Sequence, residues 1–502
     1  MGIVAKQSAR NSLILATGLV LGAVNTMFVL PAAFEGYEEG WGLIRVMTAW
    51  GTILAQILAL GMPNAILRFL PQAQEDQARE GQMLATMGIF PALAFALVGL
   101  ASIWAGPDLL LALDADKGWL LSGRVGAFLW MAGAYLAMLL LKAALIHRMR
   151  TVVVTFIQEV WLKGSYLALA ILYLKGLMPF ETFFRWFLYS YAAAVLFYLL
   201  EAKSSGIRLG KPNFQSDAKP FMEFGLFAFW NSGSRIIAKN LDFVMVGALL
   251  GLATVPRYTF AFFIATVVAM PMRAMGPILN SLTSKDVANQ GPEASEASMR
   301  QAARVLLAVT SSLLVAIWAG MPWLDAVLPE GFQGLQWVVL AIGMTYVFEA
   351  SAGTAGPILQ FSERYKLALP INLGLVVMTV ISNWAFMSWL GWGIEGAALA
   401  TAMTGLWNMG WRTSLMWRLF SIHPFTKAWL GTAALACFVA YASRWIPLPV
   451  DHAASSGWNV TMALVVGGMA GGATLLGAWS MGGLPEVTQE IRKRIGRDRL
   501  NR

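Results

Sequence analysis

The chain is poor in the residues that metal, redox and disulfide chemistry draw on. Its 502 residues include one cysteine, Cys437, and three scattered histidines. No internal disulfide can form, and no metal-ligand spacing is present. Charge is scarce too: 13% of residues are charged and 58% are hydrophobic, where a soluble chain carries about one quarter charged residues. With a mean hydropathy of +0.63, water is not the main solvent, and a soluble multidomain enzyme is excluded. There is no G-x-x-x-x-G-K-[ST], no H-E-x-x-H and no G-x-S-x-G, so ATP hydrolysis and the familiar hydrolase chemistries have no support. The expectation is a protein that is not an enzyme and needs no cofactor or metal.

What is present is a series of long uncharged runs. Residues 11–34 lie between Arg10 and Glu35, 46–67 between Arg45 and Arg68, and 81–107 between Glu80 and Asp108. Each is long enough to cross the hydrocarbon core. The same counting places further helices at 121–146, 151–174, 182–202, 220–250, 254–284, 300–321, 335–360, 366–389, 394–420, 426–446 and 457–482. The predicted fold class is an all-α polytopic membrane protein of about 14 transmembrane helices. The first apolar run is too long for a signal peptide and has no small-residue cleavage site, so it reads as a retained helix.

The net charge of +9 is distributed unevenly. The loops on the side of both termini hold 24 Lys and Arg, the opposite side 7, and five lie inside helices. The positive-inside rule then puts both termini in the cytoplasm, and nucleic acid is not an implied partner. Trp41, Trp119, Trp186, Trp323, Trp337, Trp389, Trp392, Trp445 and Trp458 fall at the expected outer ends, as an aromatic belt requires. The basic segment 485–502 has Val487, Ile491 and Ile495 at helical spacing. It fits either an amphipathic helix on the anionic leaflet or a solvated topology anchor.

The two halves carry a weak repeat at an offset of 215–217 residues. Asn25-Thr26-Met27-Phe28-Val29 falls against Asp242-Phe243-Val244-Met245-Val246, and Gly61-Met62-Pro63 against Gly276-Pro277. Six helices separate the copies, so both would enter the membrane in the same direction. This gives an N-terminal lobe at 1–203, a cytoplasmic linker at 204–219, a C-terminal lobe at 220–420, two further helices within 421–484 and a tail at 485–502. The Gly/Pro sites are expected bends, serving either packing or movement.

Charges inside the membrane are costly, by roughly 2.5–3.5 kcal/mol on insertion scales, and this chain has several. Lys142 is close enough to a helix end to snorkel. Glu159 and Lys163, four apart, can neutralise each other. Asn231, Arg235, Lys239 and Asp242, at steps of 4, 4 and 3, form a narrow polar stripe on the seventh helix. Lys239 can pair with Asp242, leaving Arg235 in excess. Arg273 sits mid-helix with no acid within four positions, and Glu349 is either its partner or an ion-coupling site. Six cations, Arg45, Lys142, Lys163, Arg235, Lys239 and Arg273, face three acids, Glu159, Asp242 and Glu349, an excess of three positive charges. Such a cavity prefers an anion, and arginine suits phosphate because its planar fork donates two hydrogen bonds. The alternative is that these residues only pair across a bundle interface.

The opening residues Lys6-Gln7-Ser8-Ala9-Arg10-Asn11-Ser12, Gly22-Ala23-Val24-Asn25-Thr26, Gly42-Leu43-Ile44-Arg45 and Leu60-Gly61-Met62-Pro63-Asn64-Ala65-Ile66-Leu67-Arg68-Phe69-Leu70-Pro71 resemble the Wzx-type oligosaccharide flippases. These are the polysaccharide biosynthesis branch of the multidrug/oligosaccharidyl-lipid/polysaccharide (MOP) exporter superfamily. The close match covers about the first 75 residues. The resemblance implies two six-helix lobes in a V, a cationic cavity lined by helices 1, 2, 7 and 8, and alternating access that carries an undecaprenyl-pyrophosphate-linked oligosaccharide across the inner membrane, with a polysaccharide polymerase as partner. Arg235 and Arg273, then Lys239 and Arg45, are the expected pyrophosphate contacts. Asn25, Asp242, Glu349, Glu159 and Lys163 are candidates for the cavity or for ion coupling. Two alternatives in the same superfamily are a lipid II flippase and a cation-coupled multidrug exporter. Drug exporters usually keep an acid in the first helix, where this chain has Asn25.

Overall fold

The computed structural model describes residues 3–73, 76–111, 123–445 and 456–482. The expected basic tail with Val487, Ile491 and Ile495, and the expected outer anchors Lys117 and Trp119, lie outside the described residues. Every regular element among the described residues is helical. Among the described residues ten helices are long and apolar enough to cross a membrane, or eleven if Gln336–Ser351 and Ala355–Phe361, bent by 52°, form one span. The expected segments at 220–250, 394–420 and 426–446 are helical but fall outside that set. The first of them carries Arg235, Lys239 and Asp242, and the third is a helix of 16 residues. The chain is a multi-pass membrane protein, divided into two compact units, Met1–Phe260 and Ala261–Arg502.

The first unit opens with α1 (Ile3–Val24), which widens into one π turn at Asn25–Val29 and resumes as the short α2 (Leu30–Ala33). Next comes α3 (Glu38–Leu58), whose first turn holds Glu38 and Glu39, where carboxylates oppose the positive end of the helix dipole. It ends at Leu60 and Gly61, with φ of 49° and 70°. The chain restarts as α4 (Met62–Phe69), with proline in its first turn, a position that needs no N–H. Then follow α5 (Gln77–Leu111), α6 (Val125–His147), α7 (Thr151–Phe156), α8 (Leu162–Leu174), α9 (Phe180–Ser204), α10 (Phe214–Ala228) and α11 (Ser234–Leu250). One π turn at Ile157–Trp161 joins α7 to α8, and another at Phe229–Gly233 joins α10 to α11.

Helix α3 is the most buried helix of this unit, packed on α6 and α11. Its contact with the α10–α11 column depends on missing side chains. A Cβ at Gly42 would strike the Leu252 carbonyl oxygen, one at Gly247 would lie 2.8 Å from Val46 Cγ2, and one at Gly233 would lie 3.0 Å from Gln56 Nε2. A Cβ at Gly61 would strike the Gly225 carbonyl oxygen. Close backbone approach of this kind is how membrane helices gain dispersion contact where lipid supplies no hydrophobic drive. The end of the unit that holds the start of α5 is tied by polar bonds. Arg79 grips the buried Asp217 of α10 with two N–H groups, Arg148 donates to Glu80 at 2.6 Å, and Gly210 N–H donates to the Gly81 carbonyl at 2.9 Å.

The second unit contains most of α12 (Val255–Ala265), then α13 (Met270–Gln290), α14 (Glu296–Asp325), α15 (Gln336–Ser351), α16 (Ala355–Phe361), α17 (Ala368–Trp384), α18 (Gly393–Phe420), α19 (Lys427–Ala442) and α20 (Ser456–Ser480). Its core is built on α14 against α20, α15 and α19, and on α15 against α18. The Gly276-Pro277 site, expected as a bend, lies inside a continuous helix. The interruption is a tight 3-10 turn at Thr266–Ala269, and α13 continues through Pro277. The proline that opens a helix here is Pro271, in the first turn of α13, as Pro63 is in α4. Trp186, Trp337, Trp389, Trp392, Trp445 and Trp458 are exposed, as a belt requires, whereas Trp41 and Trp323 are buried at 2% and 4%. Trp323 packs among Val315, Ala436 and Val466, so these two indoles are core residues rather than anchors.

Candidate functional site

Arg45 is deeper than the uncharged-run count allowed. That count began the second span at 46 and left Arg45 at its mouth. In the structure α3 starts at Glu38, which puts Arg45 two turns inside, about 10 Å along the axis at 1.5 Å per residue. Its guanidinium lies over the ring of Phe243 on α11, 3.6 Å from the centroid. Tyr135 of α6, Tyr166 of α8, Tyr191 of α9 and Tyr258 lie within electrostatic range of it. Among the described residues Arg45 forms no ion pair with a carboxylate. Tyr135 and Tyr191 hydrogen-bond through their hydroxyls at 3.2 Å, and Phe243 meets Tyr258 edge-on at 5.4 Å.

This arrangement suits an anion. A half-buried cation inside a membrane span, with no ion-pair partner among the described residues, is expensive unless its charge is met by something else. Here the ring quadrupole of Phe243 meets one face of it. The plane of the guanidinium keeps donors for an acidic ligand. Phe243 and the tyrosines did not enter the sequence reading. The available signal was the placement of four tyrosines and a phenylalanine within otherwise apolar segments.

The polar stripe on α11 is divided by the structure. Arg235 and Lys239 are exposed, Asn231 is intermediate, and Asp242 is buried at 4%. Arg235 forms no ion pair among the described residues. It precedes Phe243 by eight positions, about 12 Å along the same helix. Asn25 is buried at 3% in the π turn of the first span, with its Oδ1 lacking a hydrogen-bond partner. In the second unit, Arg273 lies exposed in the first turn of α13 and Glu349 is half-buried on α15. The salt bridge considered between them does not form.

Glu159 and Lys163 do pair, at 2.6 Å, and Lys142 donates to Gln158 at 3.0 Å rather than to an acid. Among the described residues no group of three or more His, Cys, Asp or Glu is placed to hold a metal.

No family model matches the chain, and no curated protein matches it. Solved structures do. The chain is similar to a lipid II flippase MurJ in an inward closed conformation, with TM-score 0.64 and 13% identity over 93% of this chain and 98% of that one. It is also similar to an inward-facing multidrug resistance MATE family transporter of the MOP superfamily, with TM-score 0.58 and 13% identity over 88% and 96%. A MATE in complex with MaL6 follows at TM-score 0.52 and 14% identity over 88% and 97%. At these identities the likeness is one of fold alone, the fold that these solved transporters share. The neighbours are named for transport and flipping rather than for catalysis.

Proposed function

We propose that this protein is a flippase that carries undecaprenyl-pyrophosphate-linked oligosaccharide units across the bacterial inner membrane by alternating access, with both termini cytoplasmic, for surface polysaccharide assembly. The observation that carries this reading is Arg45, a cation two turns inside a membrane helix that lies over the Phe243 ring and forms no ion pair with a carboxylate among the described residues. A pyrophosphate supplies the missing negative charge and accepts the two parallel bonds that an arginine fork offers. Arg235 and Lys239, exposed on α11 eight and four positions before Phe243, are further contacts for the same group in this reading, and Arg273 of the second unit is a separate candidate. A carrier has to release what it binds, so several moderate contacts serve better than one tight one. A membrane polymerase that consumes the flipped units is the partner this reading implies.

Native mass spectrometry of the purified protein with undecaprenyl-pyrophosphate glycans tests the assignment. The expected result is that wild type retains the lipid and a folded Arg235→Gln/Arg273→Gln variant loses most of it. Preference for lipid II would move the substrate to another pyrophosphate lipid, and retention of a cationic drug with no lipid would make the protein an exporter. Equal lipid retention by both proteins would remove Arg235 and Arg273 from the site.

A further inference from the structure

Lys163 makes two contacts, both to oxygen. Its Nζ donates to Glu159 Oε2 at 2.6 Å on the same helical column and to the carbonyl oxygen of Gly18 at 3.1 Å on α1. A carboxylate and a main-chain carbonyl are the donors with which proteins bind small hard cations, and here an ammonium sits between them. The carboxylate belongs to the π turn Ile157–Trp161. Such a turn widens the helix and leaves some carbonyls without their regular partner. The first helix is pressed onto this place. A Cβ at Gly18 would lie 2.6 Å from Glu159 Cβ, 2.6 Å from its Oε2 and 2.9 Å from its carbonyl oxygen. Lys163 and Glu159 are 38% and 27% exposed, so the place is reachable rather than sealed. Lys142 of α6 adds a second ammonium within electrostatic range of the same carboxylate.

We propose that the Lys163 ammonium is a tethered stand-in for a bound monovalent cation: it fills an oxygen site made by Glu159 and the Gly18 carbonyl, and it locks α1 onto the α7–α8 column without any ion from solution. The Lys163 ammonium already neutralises the Glu159 carboxylate, so a free cation has no reason to enter. Helix α1 is held in the wild-type protein by a charge that never dissociates into solution. This goes beyond the flippase reading and does not depend on which substrate is carried.

The test is thermal unfolding of the detergent-solubilised full chain across 0–100 mM sodium, lithium or methylammonium chloride. N-methyl-D-glucamine chloride holds the ionic strength constant. In Lys163→Ala the tether is gone and the oxygens remain, so the expected result is a Tm that rises by about 3 °C or more with a small cation. Wild type and Lys163→Arg stay flat, and Glu159→Ala/Lys163→Ala, which lacks the carboxylate, also stays flat. A Lys163→Ala protein that can be recovered only when a small cation is present supports the same conclusion. The proposal is overturned if Lys163→Ala shows no cation response, if wild type responds equally, or if Lys163→Ala fails to fold in every cation while the double variant folds.

Discussion

Arg45 shows how far charge alone can be read from sequence. Its presence near the second span was plain, but counting uncharged residues treats any charge as the end of a helix, and that rule pushed Arg45 to the membrane surface. The rings that make the charge tolerable come from α6, α8, α9 and α11 and from Tyr258, five places that no local pattern connects. The Glu159–Lys163 pair was legible because it is an i, i+4 contact, whereas its bond to Gly18, 145 positions away, was not. A prediction follows at this scale. Arg45→Gln removes an uncompensated charge, so its Tm is expected to equal or exceed that of wild type, while lipid retention falls at least about tenfold, a change of roughly 1.4 kcal/mol. Arg45→Lys is expected to fail as well, because an ammonium keeps the charge but not the planar fork. A thermal melt and a lipid-retention titration on each variant check this. A large loss of stability in Arg45→Gln would show the guanidinium to be structural.

The helical character of the long segments was legible, since a run of some twenty uncharged residues has few other uses, although the count of membrane-crossing spans was not. Breaks and seams were read less well. The interruption of the eighth segment lies at Thr266–Ala269, just before Pro271, whose missing N–H favours a helix start there, and Pro277, the obvious breaker, stays inside α13. Glycines were visible as residues, but the partner that each makes room for was not. At Gly42 the Leu252 carbonyl fills the space that a side chain would need, and at Gly61 the same crowding is combined with a left-handed backbone. Gly42→Ala and Gly61→Ala are each expected to destabilise the protein by about 1–3 kcal/mol through overpacking. Gly88→Ala on α5, where a Cβ meets nothing within 4 Å, should be neutral or stabilise by about 0.5–1 kcal/mol. Thermal unfolding of the three variants separates them, and a stable Gly42→Ala would mean that the α3–α11 seam is looser than described.

On the scale of the whole molecule, the division into two units at Phe260 and Ala261 leaves the α10–α11 column packed with the first unit. Polar bonds at the start of α5 hold it there, above all Arg79 with Asp217. The sequence showed both residues in loops expected to be solvated, and their pairing across 138 positions is a tertiary fact. A double-mutant cycle of Arg79→Ala and Asp217→Ala is expected to give a coupling energy near the upper part of the 0.5–3 kcal/mol seen for residues in one network, since the bond is two-pronged and one partner is buried. Additive effects would show the bond to be ornamental. The central claim is that the protein moves a pyrophosphate-linked glycan across a membrane through Arg45, and proteoliposomes test it most directly. A labelled undecaprenyl-pyrophosphate glycan is placed in both leaflets, and the fraction open to an impermeant glycan-modifying reagent is followed over time. The account predicts that wild type exposes the whole pool, while Arg45→Gln and empty liposomes stop near half. Wild type that stops at half, or Arg45→Gln that matches wild type, would contradict it.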